Sequence, residues 1–123
     1  MGAYEPKFLY GDETTATCGA TITNPPGNLG QLLAVVGNGT VGPAGAAATV
    51  IGCAAIDAAV GDRFAFFPRG KIHVSLAAGA ITAGDRVNAG AAGTVATGAA
   101  AVTNAGVALT TAADGAAVEW MEF

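Results

Sequence analysis

Displaced by 54 residues, the sequence overlies itself without a gap, residues 30–67 falling on residues 84–121. Twelve of these 38 positions are identical, against roughly four expected by chance from so biased a composition. The matched glycines carry the most weight: Gly30/Gly84, Gly39/Gly93, Gly52/Gly106 and Gly61/Gly115. A glycine marks where the backbone takes positive φ or approaches another strand closely, so matched glycines imply a shared path of turns. Apolar class is kept at Cys53/Val107, Phe64/Val118, Phe66/Trp120 and Phe67/Met121. Whatever this chain folds into must accommodate one unit twice.

The units read as strands. The first has strands at 31–36, 40–42, 50–56 and 63–67, with a hairpin turn at Gly37-Asn38-Gly39 and a second turn ending in Gly61-Asp62. Asn-Gly between apolar runs is a strong short-range hairpin signal. The second repeats this at 85–88, 94–97, 105–110 and 116–123, turning at 90–93 and at Asp114-Gly115. Between the units, residues 71–76 alternate apolar and polar, which predicts a strand with His73 and Ser75 on a solvent-facing side. Alanine-rich 54–60 and 99–102 are too short for independent helices, although a single helical turn fits either place. The expected fold is all-β: a small antiparallel β-barrel or β-sandwich built from two related halves, with at most one short helix. Residues 1–28 are assigned to an N-terminal arm and lead-in strand, and 29–123 to the β-domain.

Thirty alanines and 19 glycines mean that 49 of the 123 residues carry a side chain no larger than methyl. With 52% apolar and 11% charged residues the chain is nevertheless far from the composition of disorder. A net charge of −4 is the wrong sign for gripping phosphate backbones or anionic membranes, so neither nucleic acid nor membrane is expected as a partner. No run of about 18 apolar residues exists to form a membrane helix. The N-terminus lacks a basic-then-apolar leader, and Pro6 stands where a myristoylation pattern needs Ser or Thr, so no export signal or lipid anchor is expected. Cys18 and Cys53 are accordingly expected as buried free thiols.

Chemistry-bearing constellations are sparse. His73 and Ser75 are the one histidine and the one serine, two apart on a strand, which invites a nucleophile-and-base reading. No nucleophile elbow surrounds Ser75 and no orienting carboxylate is evident, so two polar residues on a sheet surface is the favoured reading. His73, Cys18 and Cys53 lack the paired spacings of a zinc site, and no phosphate-cradling loop precedes a helix. No catalytic residue, metal or cofactor is expected. Asp62, Asp85 and Asp114 flank turn glycines and are read as turn residues. Tyr4, Pro6, Phe8 and Tyr10 place bulky groups at alternate positions of the arm, suited to adding a strand to another protein or to covering the chain's own barrel. These four, with Trp120 and Phe123 of the last strand, are the candidates for contact with a partner or with another subunit.

A resemblance bears on what that partner is. The runs Ala80-Ile81-Thr82-Ala83-Gly84-Asp85-Arg86-Val87, Gly93-Thr94-Val95-Ala96, Gly106-Val107-Ala108-Leu109 and Asp114-Gly115-Ala116-Ala117-Val118-Glu119 resemble the capsid cement, or head decoration, proteins of tailed bacteriophages. The likeness covers the second half and, through the repeat, residues 29–67 more loosely; the first 25 residues do not share it. It implies a virion protein made in the host cytoplasm that joins the outer surface of an assembled capsid, often as a trimer. There it would stabilise contacts between major capsid protein subunits, and the family supplies no catalytic residues. The alternatives are another structural module of a virion, such as a tail or fibre component, and a small ligand-binding or hydrolytic barrel using His73.

Overall fold

The computed structural model describes residues 14–27, 29–68, 72–98 and 105–123. Ten strands occupy them: β1 (Thr14–Cys18), β2 (Leu32–Gly37), β3 (Thr40–Pro43), β4 (Gly52–Ala54), β5 (Arg63–Pro68), β6 (Ile72–Leu76), β7 (Arg86–Ala89), β8 (Val95–Thr97), β9 (Gly106–Ala108) and β10 (Ala117–Glu122). A 3₁₀ turn, Ala91–Gly93, is the one helical element among the described residues. The all-β expectation holds. The alanine-rich stretch 54–60 forms no helix, and 99–102 lies outside the described residues.

The first five strands close into a barrel in the order β1-β3-β2-β4-β5, with β1 antiparallel to β5 and parallel to β3. The other five form a sheet in the order β6-β10-β9-β7-β8, and its outer strands meet just past β6, where Ala77 and Val95 form a parallel bridge. The chain is therefore one barrel topology used twice. Strands β2 to β5 map onto β7 to β10 at an offset of 54, as the sequence predicts. Residues 14–18, within the expected N-terminal arm and lead-in strand, form a strand of the first barrel equivalent to β6. Thr17 pairs with Arg63 as Leu76 pairs with Ala117, so this strand is displaced by 59. An ungapped comparison misses it because the link from residue 22 to residue 30 is five residues longer than the link from 81 to 84. Hydrogen bonding follows the same rule: Cys18 N donates to Asp62 O as Ala77 N does to Ala116 O, and Ile22 N to Ala58 O as Ile81 N does to Ala112 O.

Each barrel encloses its own core at equivalent positions. In the first these are Cys18, Ile22, Leu33, Val41, Ala54, Ala58, Phe64 and Phe66; in the second, Ala77, Ile81, Val87, Val95, Ala108, Ala112, Val118 and Trp120. Volume is redistributed between them. Phe66 becomes the larger Trp120 while Leu33, Phe64 and Cys18 shrink to Val87, Val118 and Ala77. Gly52 and Gly106 obey one constraint, since a Cβ on either would collide with the carbonyl oxygen of Phe67 or Met121 on the neighbouring strand.

The remaining buried apolar residues join the barrels. Leu32, Ala34, Ala44, Val50 and Cys53, on the side of the first barrel, pack with Ala89 and Ala105 at the rim of the second. Main-chain bonds from Ala47 N to Ala89 O (2.9 Å), Gly93 N to Ala44 O (2.8 Å) and Gly30 N to Val74 O (2.8 Å) fasten the joint. Gln31 completes it: its Nε2 donates to Ala92 O and its Oε1 accepts from Thr23 N. No helix among the described residues is long and apolar enough to cross a membrane.

Candidate interaction surfaces and the buried polar cluster

Strand β6 is inverted relative to expectation. His73 and Ser75 point inward and are buried, whereas Ile72 and Val74 face solvent. The reason lies on β10, which pairs antiparallel with β6 and sets Trp120 opposite His73. Two inward residues of β10 supply the polar partners that make burial tolerable. His73 Nε2 lies 2.9 Å from Glu122 Oε1, and Trp120 Nε1 donates to Ser75 Oγ at 3.0 Å. The imidazole and indole rings pack with centroids 5.1 Å apart. Cys53 Sγ approaches Ser75 Oγ to 3.9 Å. Burial pushes the Cys53 thiol well up from its ordinary value, the nearby Glu122 carboxylate pushes it further, and the contact with Ser75 offsets part of the rise.

The structure thus brings the serine, the histidine and a carboxylate together, although the sequence offered no partner for His73. Their contacts are of the histidine with the carboxylate and of the serine with Trp120, not between the serine and the histidine. Ser75 is wholly buried and its oxygen is engaged by Trp120, while the His73 nitrogen is directed at Glu122. A nucleophile needs a path to substrate and a base on its hydroxyl. The first barrel has no such cluster, since the positions of His73, Ser75 and Glu122 there hold Thr14, Ala16 and Pro68. Both cysteines are free and buried: Cys18 in the first core, its thiol donating to Ala20 O at 3.0 Å, and Cys53 at the joint. Among the described residues no three His, Cys, Asp or Glu side chains converge as metal ligands do.

Asp62 and Asp85 each accept from an amide of their own turn, as assigned, whereas Asp114 accepts from the turn that follows β6. Asp62 Oδ2 accepts from Ala59 N, Asp85 Oδ2 from Thr82 N, and Asp114 Oδ1 from Gly79 N. Of the contact candidates, Trp120 needs correction. It is fully buried, because the second core requires a large side chain whose N–H finds Ser75. Phe123 is half exposed while its amide donates to Ala105 O at 2.9 Å. Tyr4, Pro6, Phe8 and Tyr10 lie outside the described residues.

Apolar surface is exposed elsewhere, at places the alternation of β6 and the hairpin sequence did not reveal. On the second barrel, Ile72 and Val74 share an outer face with Met121 and Phe123. A half-open groove of about 600 Å³ adjoins it, lined by Pro25, Pro26, Ile56, Phe67 and Ile72 and reaching His73 and Cys53 of the buried cluster. One wall is the longer link between residues 22 and 30, where Asn24 is consumed internally: its N donates to Asp57, its side chain to Ala54 O, and its Oδ1 accepts from Gln31 N. On the first barrel, Val35 and Val36 are exposed at the rim.

No protein-family model matches the sequence, and no curated protein matches it. Among solved structures the fold is similar to the crystal structure of the head fiber gp8.5 N base in bacteriophage phi29. That likeness has a TM-score of 0.72 and 21% sequence identity, and it covers 91% of this chain and 93% of that one. The architecture described here is therefore shared, nearly end to end, with a base module of a phage head fibre.

Proposed function

We propose that this protein is a structural component of a phage virion that sits on the outer surface of the assembled head, binds major capsid protein and stabilises contacts between its subunits. The observation carrying this reading is the match in fold, over nine-tenths of both chains, to a head-fibre base. It is supported by the chemistry. The one serine accepts from the buried Trp120 and the Nε2 of the one histidine meets Glu122, while the exposed features are apolar faces suited to protein contact. Copies repeated over a lattice would multiply a modest contact through avidity, and a homotrimer is the assembly we favour.

The same match favours a second reading, in which the chain is the seat of a projecting fibre. Heads lacking the protein, mixed with the purified full chain, separate the outcomes. Co-sedimentation together with a higher temperature of DNA release supports stabilisation. Co-sedimentation with added projections and no change in that temperature supports the fibre base. Failure to bind heads would refute both.

A further inference from the structure

The repeat makes the joint between the barrels a template for a contact that the chain leaves unmade. At the second rim, Ala89 and Ala105 are buried beneath the side of the first barrel. The equivalent positions of the first rim are Val35 and Ile51, of which Ile51 is half-buried against the first core and Val35 is left open. Val35 pairs with Val41 as Ala89 pairs with Val95, so the two rims correspond strand for strand. Yet Val35 is 64% exposed and Val36 beside it 46%. The turn glycines show the same contrast. A Cβ on Gly93 would strike the Gln31 side chain and the Leu32 carbonyl of the covering barrel, whereas on the equivalent Gly39 it would meet nothing within 4 Å. The uncovered rim also carries larger apolar side chains than the covered one.

We propose that the rim formed by Val35, Val36 and the turn 37–39 is the docking surface for the capsid partner. That partner is a different polypeptide presenting an uncharged sheet face of apolar side chains with a main-chain N–H and C=O beside it, as Leu32, Ala34 and Ala44 do for the second rim. This deepens the capsid-surface reading and rests on it. A second copy of the chain does not fit by the same mode. The side of its second barrel equivalent to Leu32, Ala34 and Ala44 holds Arg86, Asn88 and Gly98, with Arg86 exposed, and a charge there would be stripped of water against valine. Head-to-side stacking therefore stops after two barrels.

The test compares the full chain with the double variants Val35→Glu/Val36→Glu and Val35→Lys/Val36→Lys, and with Leu109→Glu as an exposed apolar control on the second barrel. All are checked for native folding by the fluorescence of Trp120. In co-sedimentation with heads lacking the protein, both double variants should bind at least about tenfold more weakly, and Leu109→Glu as the unaltered chain does. Unaltered binding by the double variants, or equal loss in the control, overturns the docking surface while leaving the capsid reading in place. A fall in light-scattering mass of the free double variants would instead make the rim a contact between copies, which also overturns it. If the unaltered chain binds no heads, the capsid reading fails and this inference with it.

Discussion

Replacing Gly106 by alanine tests the duplicated architecture directly. The added Cβ would overlap the Met121 carbonyl oxygen, a backbone atom that cannot rotate away. Relief requires β9 to withdraw from β10, straining a core already packed around Trp120 and weakening the adjoining ladder bonds. Overpacking costs about 1–3 kcal/mol and each weakened bond about 0.5–1.5, so a loss of about 3 kcal/mol is expected. An unfolding entropy near 2.1 cal/mol/K per residue gives about 0.26 kcal/mol/K for a chain this size, so the midpoint should fall by about 12 °C. Gly52→Ala should cost a similar amount, because its Cβ meets the equivalent Phe67 carbonyl. Gly45→Ala, with open space around it, should stay within about 0.5 kcal/mol of the unaltered protein. Trp120, the one tryptophan and wholly buried, reports unfolding by fluorescence in urea and on heating. A Gly106→Ala protein as stable as the Gly45→Ala protein would refute the close approach and with it the shared strand path.

His73→Ala should destabilise by about 3 kcal/mol in urea titration, since it leaves the Glu122 carboxylate buried without the imidazole. Trp120→Phe should cost about 2 kcal/mol by circular dichroism melting, from lost volume and a lost bond to Ser75. Because folding raises the Cys53 thiol above its ordinary value of 9.0, the unfolded chain releases that proton first. This contribution is intact below about pH 9 and declines above it by about 1.4 kcal/mol per pH unit, so a Cys53→Ala protein should show a flatter alkaline stability profile. In native protein both thiols should resist a disulfide reagent and react only on unfolding, as read by thiol titration.

Much of this fold is legible in the chain because turn chemistry and glycine placement act locally. The Asn38-Gly39 hairpin and the paired Gly52 and Gly106 mark backbone events that residue type alone specifies. Strand β1 is not legible by the same comparison, since a longer link displaces it from the register of the other four. The inversion of β6 is hidden for a different reason. Alternation identifies two faces, but which face is inside depends on Trp120 and Glu122, more than forty residues away, offering bonds to His73 and Ser75. For the same reason Trp120 reads as an interface aromatic until its partner is known. Exposure of Val35 likewise follows from what the other barrel covers, which no local pattern encodes.

The shared layer of Leu32, Ala34, Val50 and Cys53 against Ala89 and Ala105 has a mechanical consequence. With side-chain packing and main-chain bonds spanning it, the two barrels behave as a single brick. Groups on one end are held at a set spacing and angle from groups on the other. A partner that grips both ends therefore needs no extra ordering of the chain at the moment of contact, and little of the gain in attachment is spent on restraint.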